Sequence, residues 1–333
     1  MKNTLDFPIL LERFFTQRLM AQRQASCHTI ASYRDTFRLL LTYTEQRLHK
    51  PPSHLKLSDV DAALIGAFLD HLEKDRDSTA RTRNLRLTAI RSFFRFTAYQ
   101  MPSQSGLIQR VLSMPSKRQD RKLVHFLTHS EIEALLLAPD RRTWAGRRDY
   151  AFILIAVQTG LRLSEMIGLR PHDVVLGTGA HIRCEGKGRK ERCTPLTKQA
   201  VAVIQAWLRE PLRGKAETLF PNARGGQLSA DGVQYLLAKH VATAQKSCPS
   251  LKEKRVSPHV LRHTAAMELL QSGVDRAVIA LWLGHESIET TQIYLDADLS
   301  MKEHALAKTS SPTCKSAGRY RPGDRLMQFL KGL

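Results

Sequence analysis

Apolar residues recur at three- and four-residue intervals through the first hundred positions, the spacing that lines one face of a helix. Residues 7–22 carry Ile9, Leu11, Phe14, Phe15 and Leu19, and residues 29–47 carry Ile30, Tyr33, Phe37, Leu40 and Leu41 behind Thr29 as an N-cap. Ser58-x-x-Asp61 has the form of a capping box and opens a third helix through His71. A fourth, over 79–99, buries Leu87, Ile90, Phe93 and Phe94. At roughly 100° per residue its Arg81, Arg91 and Arg95 fall on one opposite arc. That basic arc suits phosphate contact and groove insertion, and it equally suits an ordinary solvated face. Residues 101–122 then break the pattern with Pro102, Pro115 and serines. They end in Lys117-Arg118-Gln119-Asp120-Arg121-Lys122, a basic linker able to lie on a polyanion. The expected division is a helical domain over 1–102 and a linker over 103–122.

Helical spacing resumes at Thr128-x-x-Glu131, a second capping box, before 132–137. Residues 149–159 are almost wholly apolar, which predicts a buried helix, and Gly160 stops it. A short helix over 163–169 follows. The period then changes from helix to strand over 174–176, 181–185 and 192–196, with Gly186-Lys187-Gly188-Arg189-Lys190 as the turn between the last two. Helical spacing returns over 198–296. The expected fold is mainly α with a small antiparallel sheet, the second domain running over 123–310. Residues 311–333 form a tail in which 324–333 reads as an amphipathic helix with Leu326, Met327, Phe329 and Leu330, suited to packing on a neighbouring subunit.

Charge narrows the partner. The 333 residues carry a formal net charge of +20, an excess that repels itself and makes sense opposite a polyanion. Double-stranded DNA is the first candidate and an anionic membrane surface the second. No apolar run approaches the roughly 20 residues needed to cross a bilayer, and the first residues lack a signal-peptide pattern. The expected location is therefore cytoplasmic, nucleoid-associated when bound to DNA. The five cysteines include no C-x-x-C, so a disulfide framework or zinc knuckle is not expected. Cys184 and Cys193 sit where they could face each other across a hairpin, as reduced thiols of a cytosolic chain.

Three separated segments carry candidate chemistry: Thr159-Gly160-Leu161-Arg162-Leu163-Ser164-Glu165, Ser257-Pro258-His259-Val260-Leu261-Arg262-His263, and Leu283-Gly284-His285 with Tyr294 nine residues beyond. In the second, Ser257 is a good N-cap and Pro258 fits the first helical position. His259 and Arg262 then share a face at a helix N-terminus whose free N–H groups make a phosphate seat. His259 and His263 also have the spacing of a helical zinc pair, but no third ligand completes it and Arg262 opposes a cation, so no metal is expected. Arg162 stands where one helix ends and another begins, suited to a bidentate phosphate contact with Glu165 fixing it; a plain surface ion pair explains the same spacing. The Gly186–Lys190 turn lacks the form of a P-loop; Lys187 at its tip fits either proton donation or a solvated turn. Tyr294 needs a base or nearby cations to attack as a phenolate near neutral pH, and by itself fits amphipathic packing.

Together, T-G-L-R-x-S-E, H-x-L-R-H and L-G-H followed by Tyr, in this order, resemble the tyrosine recombinase (phage integrase) family over about residues 123–298. The N-terminal helices resemble its SAM-like core-binding domain, with less specific motifs. The resemblance implies a mixed α/β catalytic domain in which Tyr294 attacks a DNA phosphate and forms a 3′-phosphotyrosyl bond. It implies that Arg162 and Arg262 hold the non-bridging oxygens and His285 adds a hydrogen bond. His259 helps take the proton from Tyr294, Lys187 protonates the leaving 5′-oxygen, and Glu165 supports the site. No cofactor is implied, since the covalent bond conserves the phosphodiester energy. The DNA-contacting set is Arg81, Arg91, Arg95, Lys117, Arg118, Arg121 and Lys122, and the implied assembly is a homotetramer on two sites, with accessory recombinases as further partners. Many members follow the nucleophile with Thr-His; here Leu295-Asp296 follows, as in recombinases of mobile elements. Two other readings remain: a type IB topoisomerase-like enzyme that nicks and reseals, and a DNA-binding accessory protein with an inactive site. Against them stand the separate N-terminal helical module with the Lys187 turn, and the complete catalytic set.

Overall fold

A computed structural model describes residues 6–119, 124–186, 191–211 and 217–284. The chain divides into two compact units, Met1–Arg121 and Lys122–Leu333.

The first unit is all helical. Helix α1 (Phe7–Arg13) runs on as a π-helix over Phe14–Gln22, and is followed by α2 (Cys27–Leu48), α3 (Ala62–Lys74), α4 (Ala80–Gln100) and α5 (Ser105–Leu112). Phe7, Phe14, Phe37, Phe68, Phe93 and Phe94 are almost fully buried. Several meet edge-to-face, as Phe14 and Phe93 do with centroids 5.6 Å apart, the arrangement the ring quadrupole favours. Two helix starts differ from the expected ones. Ser26, not Thr29, caps α2, its Oγ accepting from the Thr29 amide (3.3 Å), and Asp61, not Ser58, caps α3, its Oδ1 accepting from the Leu64 amide (2.8 Å). A 3-10 turn over Leu57–Asp59 occupies the stretch where the box was expected.

The expected linker is corrected more substantially. Leu107, Ile108, Val111 and Leu112 have helical spacing, and α5 buries Ile108 and Val111 in the first core. Beyond it the chain is strapped to α4. Asn84 bonds Lys117 twice, its Nδ2 donating to Lys117 O (2.8 Å) and its Oδ1 accepting from Lys117 N (3.0 Å). Such an amide imitates a strand neighbour for one residue.

In the second unit Thr128 and Glu131 form the expected capping box at the head of α6 (His129–Leu137). Helix α7 (Trp144–Thr159) starts one turn earlier than its apolar run, capped by Thr143, and is nearly all buried. After α8 (Leu163–Gly168) come β1 (Val174–Val175), β2 (His181–Glu185) and β3 (Glu191–Pro195), a three-stranded antiparallel sheet in sequence order. Helices α9 (Lys198–Leu208), α10 (Ala230–Ala244), α11 (Pro258–Gln271) and α12 (Arg276–Leu283) complete the described unit, with α9 and α11 packed on α7. Cys184 pairs with Arg192 and Cys193 with Arg183. Neighbours in sequence on paired strands point to opposite faces, so Cys184 is buried and Cys193 exposed rather than face to face.

The start of α7 holds a buried polar group that the apolar pattern concealed. Arg148 donates to Asp149 Oδ1 from Nε (2.9 Å) and Nη2 (2.6 Å), and to Pro221 O from Nη1 (3.0 Å). His240 Nε2 lies 2.7 Å from Asp149 Oδ2, joining α10 to α7. Removing one partner of a buried ion pair strands the others. Asp149→Ala is therefore expected to lower the stability of the second unit by about 3–5 kcal/mol, read as a lower urea midpoint; an unchanged midpoint would contradict this role.

Candidate active site

The site is assembled at the C-terminal end of α12. A helix end leaves carbonyls without intrahelical partners, and they carry the negative end of the dipole. Here three successive carbonyls each accept from a different arginine. Trp282 O accepts from Arg192 Nε (3.1 Å), Leu283 O from Arg262 Nη2 (2.7 Å), and Gly284 O from Arg162 Nη2 (2.7 Å). Arg262 also donates from Nη1 to Gly160 O (2.6 Å), and the Trp282 indole donates to Thr159 O (3.2 Å). The ends of α7 and α12 and the first turns of α11 are thereby drawn to one point.

Gly160 makes that convergence possible. It caps α7 in the left-handed conformation (φ +61°), and a Cβ there would stand 2.6 Å from Leu283 Cδ2 and 3.1 Å from Ala265 Cβ. Both the backbone sign and the close approach demand glycine. Two residues on, Arg162 caps α8. Its amide donates to Glu165 Oε2 (2.7 Å) and its Nη1 to Glu165 Oε1 (3.0 Å).

Glu165 is clamped from the sheet as well. Arg192 on β3 donates from Nη1 to Oε1 (2.9 Å) and from Nη2 to Oε2 (2.7 Å), a bidentate pair. Burial opposes ionisation of this carboxyl, but the bonds from Arg192 and from the Arg162 amide outweigh it and hold it below the usual range. The Arg162 guanidinium thus sits beside a carboxylate already saturated with donors, and Arg262 holds the neighbouring carbonyl at the same helix end.

The segments predicted to carry chemistry do meet. Arg162, Glu165 and Arg262 come together, and His259 lies exposed in the first turn of α11, one turn ahead of Arg262. Lys187, His285 and Tyr294 lie outside the described residues, as do Arg121 and Lys122; Gly284 at the α12 end leads directly to His285. Arg192 was missed. It pairs across the sheet with buried Cys184, so strand alternation gave its inward direction. On α4 the basic arc is altered. Arg81 and Arg95 are exposed, while Arg91 is half-buried and donates from Nη1 to Ser116 Oγ (3.3 Å). Leu85 (60% exposed) and Tyr99 (82%) complete the outward stripe instead. Lys117 Nζ is held 2.5 Å from Glu73 Oε2, and Arg118 is exposed. Among the described residues no cluster of three His, Cys, Asp or Glu could hold a metal, and no helix is long and apolar enough to cross a membrane.

Residues 125–301 match the Phage integrase family, and residues 11–100 match the Phage integrase N-terminal SAM-like domain. The chain is 63% identical over 324 residues to the provisionally named integrase/recombinase y4rC of Sinorhizobium fredii, covering 97% of each. It is 32% identical over 289 residues to the tyrosine recombinase XerC of Pelotomaculum thermopropionicum, covering 84% of this chain and 91% of that one. Its fold resembles that of the XerH site-specific recombinase bound to palindromic difH substrate, with a TM-score of 0.69 at 24% identity over 86% of this chain and 81% of that one. It also resembles the Tn1549 transposon integrase in complex with a circular intermediate DNA, with a TM-score of 0.64 at 17% identity over 88% and 98% of the two chains. The chain belongs to the phage integrase family and is a tyrosine-type site-specific recombinase.

One group at the site gives a pH signature. Burial, then the positive fields of His259 and Arg262, push the His263 imidazole down to about 4. The unfolded chain takes up this proton below the ordinary value of 6.5, whereas the folded chain resists until about 4. Stability from neutral His263 is therefore complete above 6.5 and lost as the pH falls through that window. Urea midpoints measured across this range should fall less steeply for His263→Asn than for the wild type; equal slopes would contradict the assignment.

Proposed function

We propose that Tyr294 is the nucleophile of DNA strand exchange and that Arg162 and Arg262 bind the scissile phosphate. The phenolate oxygen of Tyr294 forms a bond to phosphorus, the bond from phosphorus to the 5′-oxygen breaks, and a 3′-phosphotyrosyl link remains. His259 assists removal of the phenol proton, His285 donates to a non-bridging oxygen, and Lys187 supplies the proton to the leaving 5′-oxygen. Glu165 holds Arg162 rather than moving a proton, because its lone pairs are already engaged. The observation that carries this reading is the convergence of Arg162 and Arg262 on the α12 end, immediately before His285. Two guanidiniums fixed before substrate arrives suit the dianionic charge that develops on a phosphate under attack.

The exposed arginines Arg81, Arg95 and Arg118, with Arg91, Lys117, Arg121 and Lys122, form the proposed duplex-backbone contacts. Binding by such a set weakens steeply with salt. The relatives' solved complexes include a lambda integrase tetramer bound to a Holliday junction; by analogy we assign this chain a homotetramer working on two sites. The Leu295-Asp296 continuation after Tyr294 favours a mobile element as its genetic setting, and inverted repeats flanking the gene would bear this out.

Duplexes selected by the full-length protein from a random pool, then nicked at successive positions, provide trapping substrates. The wild type is expected to form a covalent adduct, Tyr294→Phe none, and Arg262→Ala to react about 100- to 1,000-fold more slowly. An adduct that persists in Tyr294→Phe would overturn the nucleophile assignment. Deleting 315–333 is expected to leave binding of one protomer intact and to reduce higher assemblies on DNA in native gels; assembly equal to the full chain would remove the tail from the interface.

A further inference from the structure

We propose that Arg192, which is not one of the residues assigned to the phosphate or the proton transfers, is a positioning residue for strand transfer. It ties the sheet, Glu165 and the end of α12 into one unit that sets Arg162. The inference rests on the reading of Arg162 as a phosphate ligand.

The geometry is specific to a guanidinium. Arg192 uses both Nη atoms on the two oxygens of Glu165, at 2.9 and 2.7 Å, and its Nε on Trp282 O at 3.1 Å. A planar fork meets a carboxylate and a third acceptor at once, which an ammonium on a flexible stem does not reproduce. The Arg192 side chain is 11% exposed and that of Glu165 5%, so solvent offers little substitute for a lost bond.

Glu165 accepts four hydrogen bonds, two at each oxygen, with Arg162 and Arg192 each contributing one to either side. That exhausts the acceptor capacity of a carboxylate. Removing Arg192 leaves two acceptor positions open on a buried carboxylate, and the nearest remaining cation is Arg162. Arg162 would be drawn further onto Glu165 and away from Gly284 O. The same loss frees Trp282 O, one residue before the Leu283 carbonyl that Arg262 holds.

Gly284 is a second, independent sign of this arrangement. It has a left-handed backbone (φ +65°), and a Cβ there would stand 2.9 Å from Arg192 Nη1 and 3.1 Å from its Cδ and Cζ. The end of α12 is bare where the Arg192 guanidinium crosses it. Arg192 lies on β3, so a single side chain ties the sheet to the arginine cluster.

The test uses the full chain and the nicked duplexes described above. Arg192→Lys and Arg192→Gln are expected to bind DNA within about threefold of the wild type while forming adduct about 100-fold more slowly, the scale of a small misplacement at a reacting centre. Combining Arg192→Gln with Glu165→Gln should cost no more than the worse single change, since both break one unit. Arg192→Lys reacting at the wild-type rate, a rate that falls only in proportion to binding, or additive losses in the double variant would each overturn the proposal. Arg192→Lys retains charge and bulk, so its failure to fold would also overturn it, by making Arg192 a requirement of the fold rather than of the reaction. If the wild type itself forms no Tyr294-dependent adduct, the reading of the site fails. If it does and Arg192→Lys matches it, the positioning role alone fails.

Discussion

Three cations brought to one place repel one another, and the second unit is organised around making that arrangement stable without a substrate. The carbonyls of Trp282, Leu283 and Gly284 provide one solution, the negative end of α12. A cation at a helix C-terminus gains about 0.3–1 kcal/mol at an exposed site and up to about 2 kcal/mol where partly buried. Glu165 provides the other, as one full negative charge between Arg162 and Arg192. Carbonyl dipoles and a single carboxylate leave the cluster net positive. It is held in place by neutral carbonyls and one carboxylate while keeping its attraction for an anion.

The surrounding helices make sense as supports for that point. Helix α7 is buried almost all round because its C-terminal Gly160 must stand against α11 and α12. The Arg148–Asp149–His240 group secures its other end to α10. A buried polar group of this kind adds little to net stability compared with apolar packing. It does require each helix to meet the others in one register, which a uniformly apolar surface would leave free.

Much of this was legible in the chain. Helical spacing, the Thr128–Glu131 box and Gly160 as a stop depend on residues within a turn or two of one another, and they were read correctly. So were the three strands. What escaped was contact between distant positions. Arg192 finds Glu165 across 27 residues, and Arg162 finds Gly284 across 122, with no local signal for either meeting. Asp149 looked like a helix start, because the partner that buries it, His240, lies 91 positions away. Helix α5 was obscured for the opposite reason. Pro102, Pro115 and the serines are strong local punctuation, and they outweighed a short apolar spacing that only the first core makes decisive.

The placing of the three tryptophans has an optical consequence. Trp144, the first residue of α7, and Trp207, on α9, lie together with ring centroids 5.3 Å apart. Trp282 stands apart from them, its indole bonded to Thr159 and its carbonyl to Arg192. The indole excited state is sensitive to hydrogen bonding and to nearby charge. With Trp144 and Trp207 replaced by phenylalanine, the remaining emission would come from the junction where the arginines meet, giving a native, label-free reporter of how that junction responds when DNA arrives.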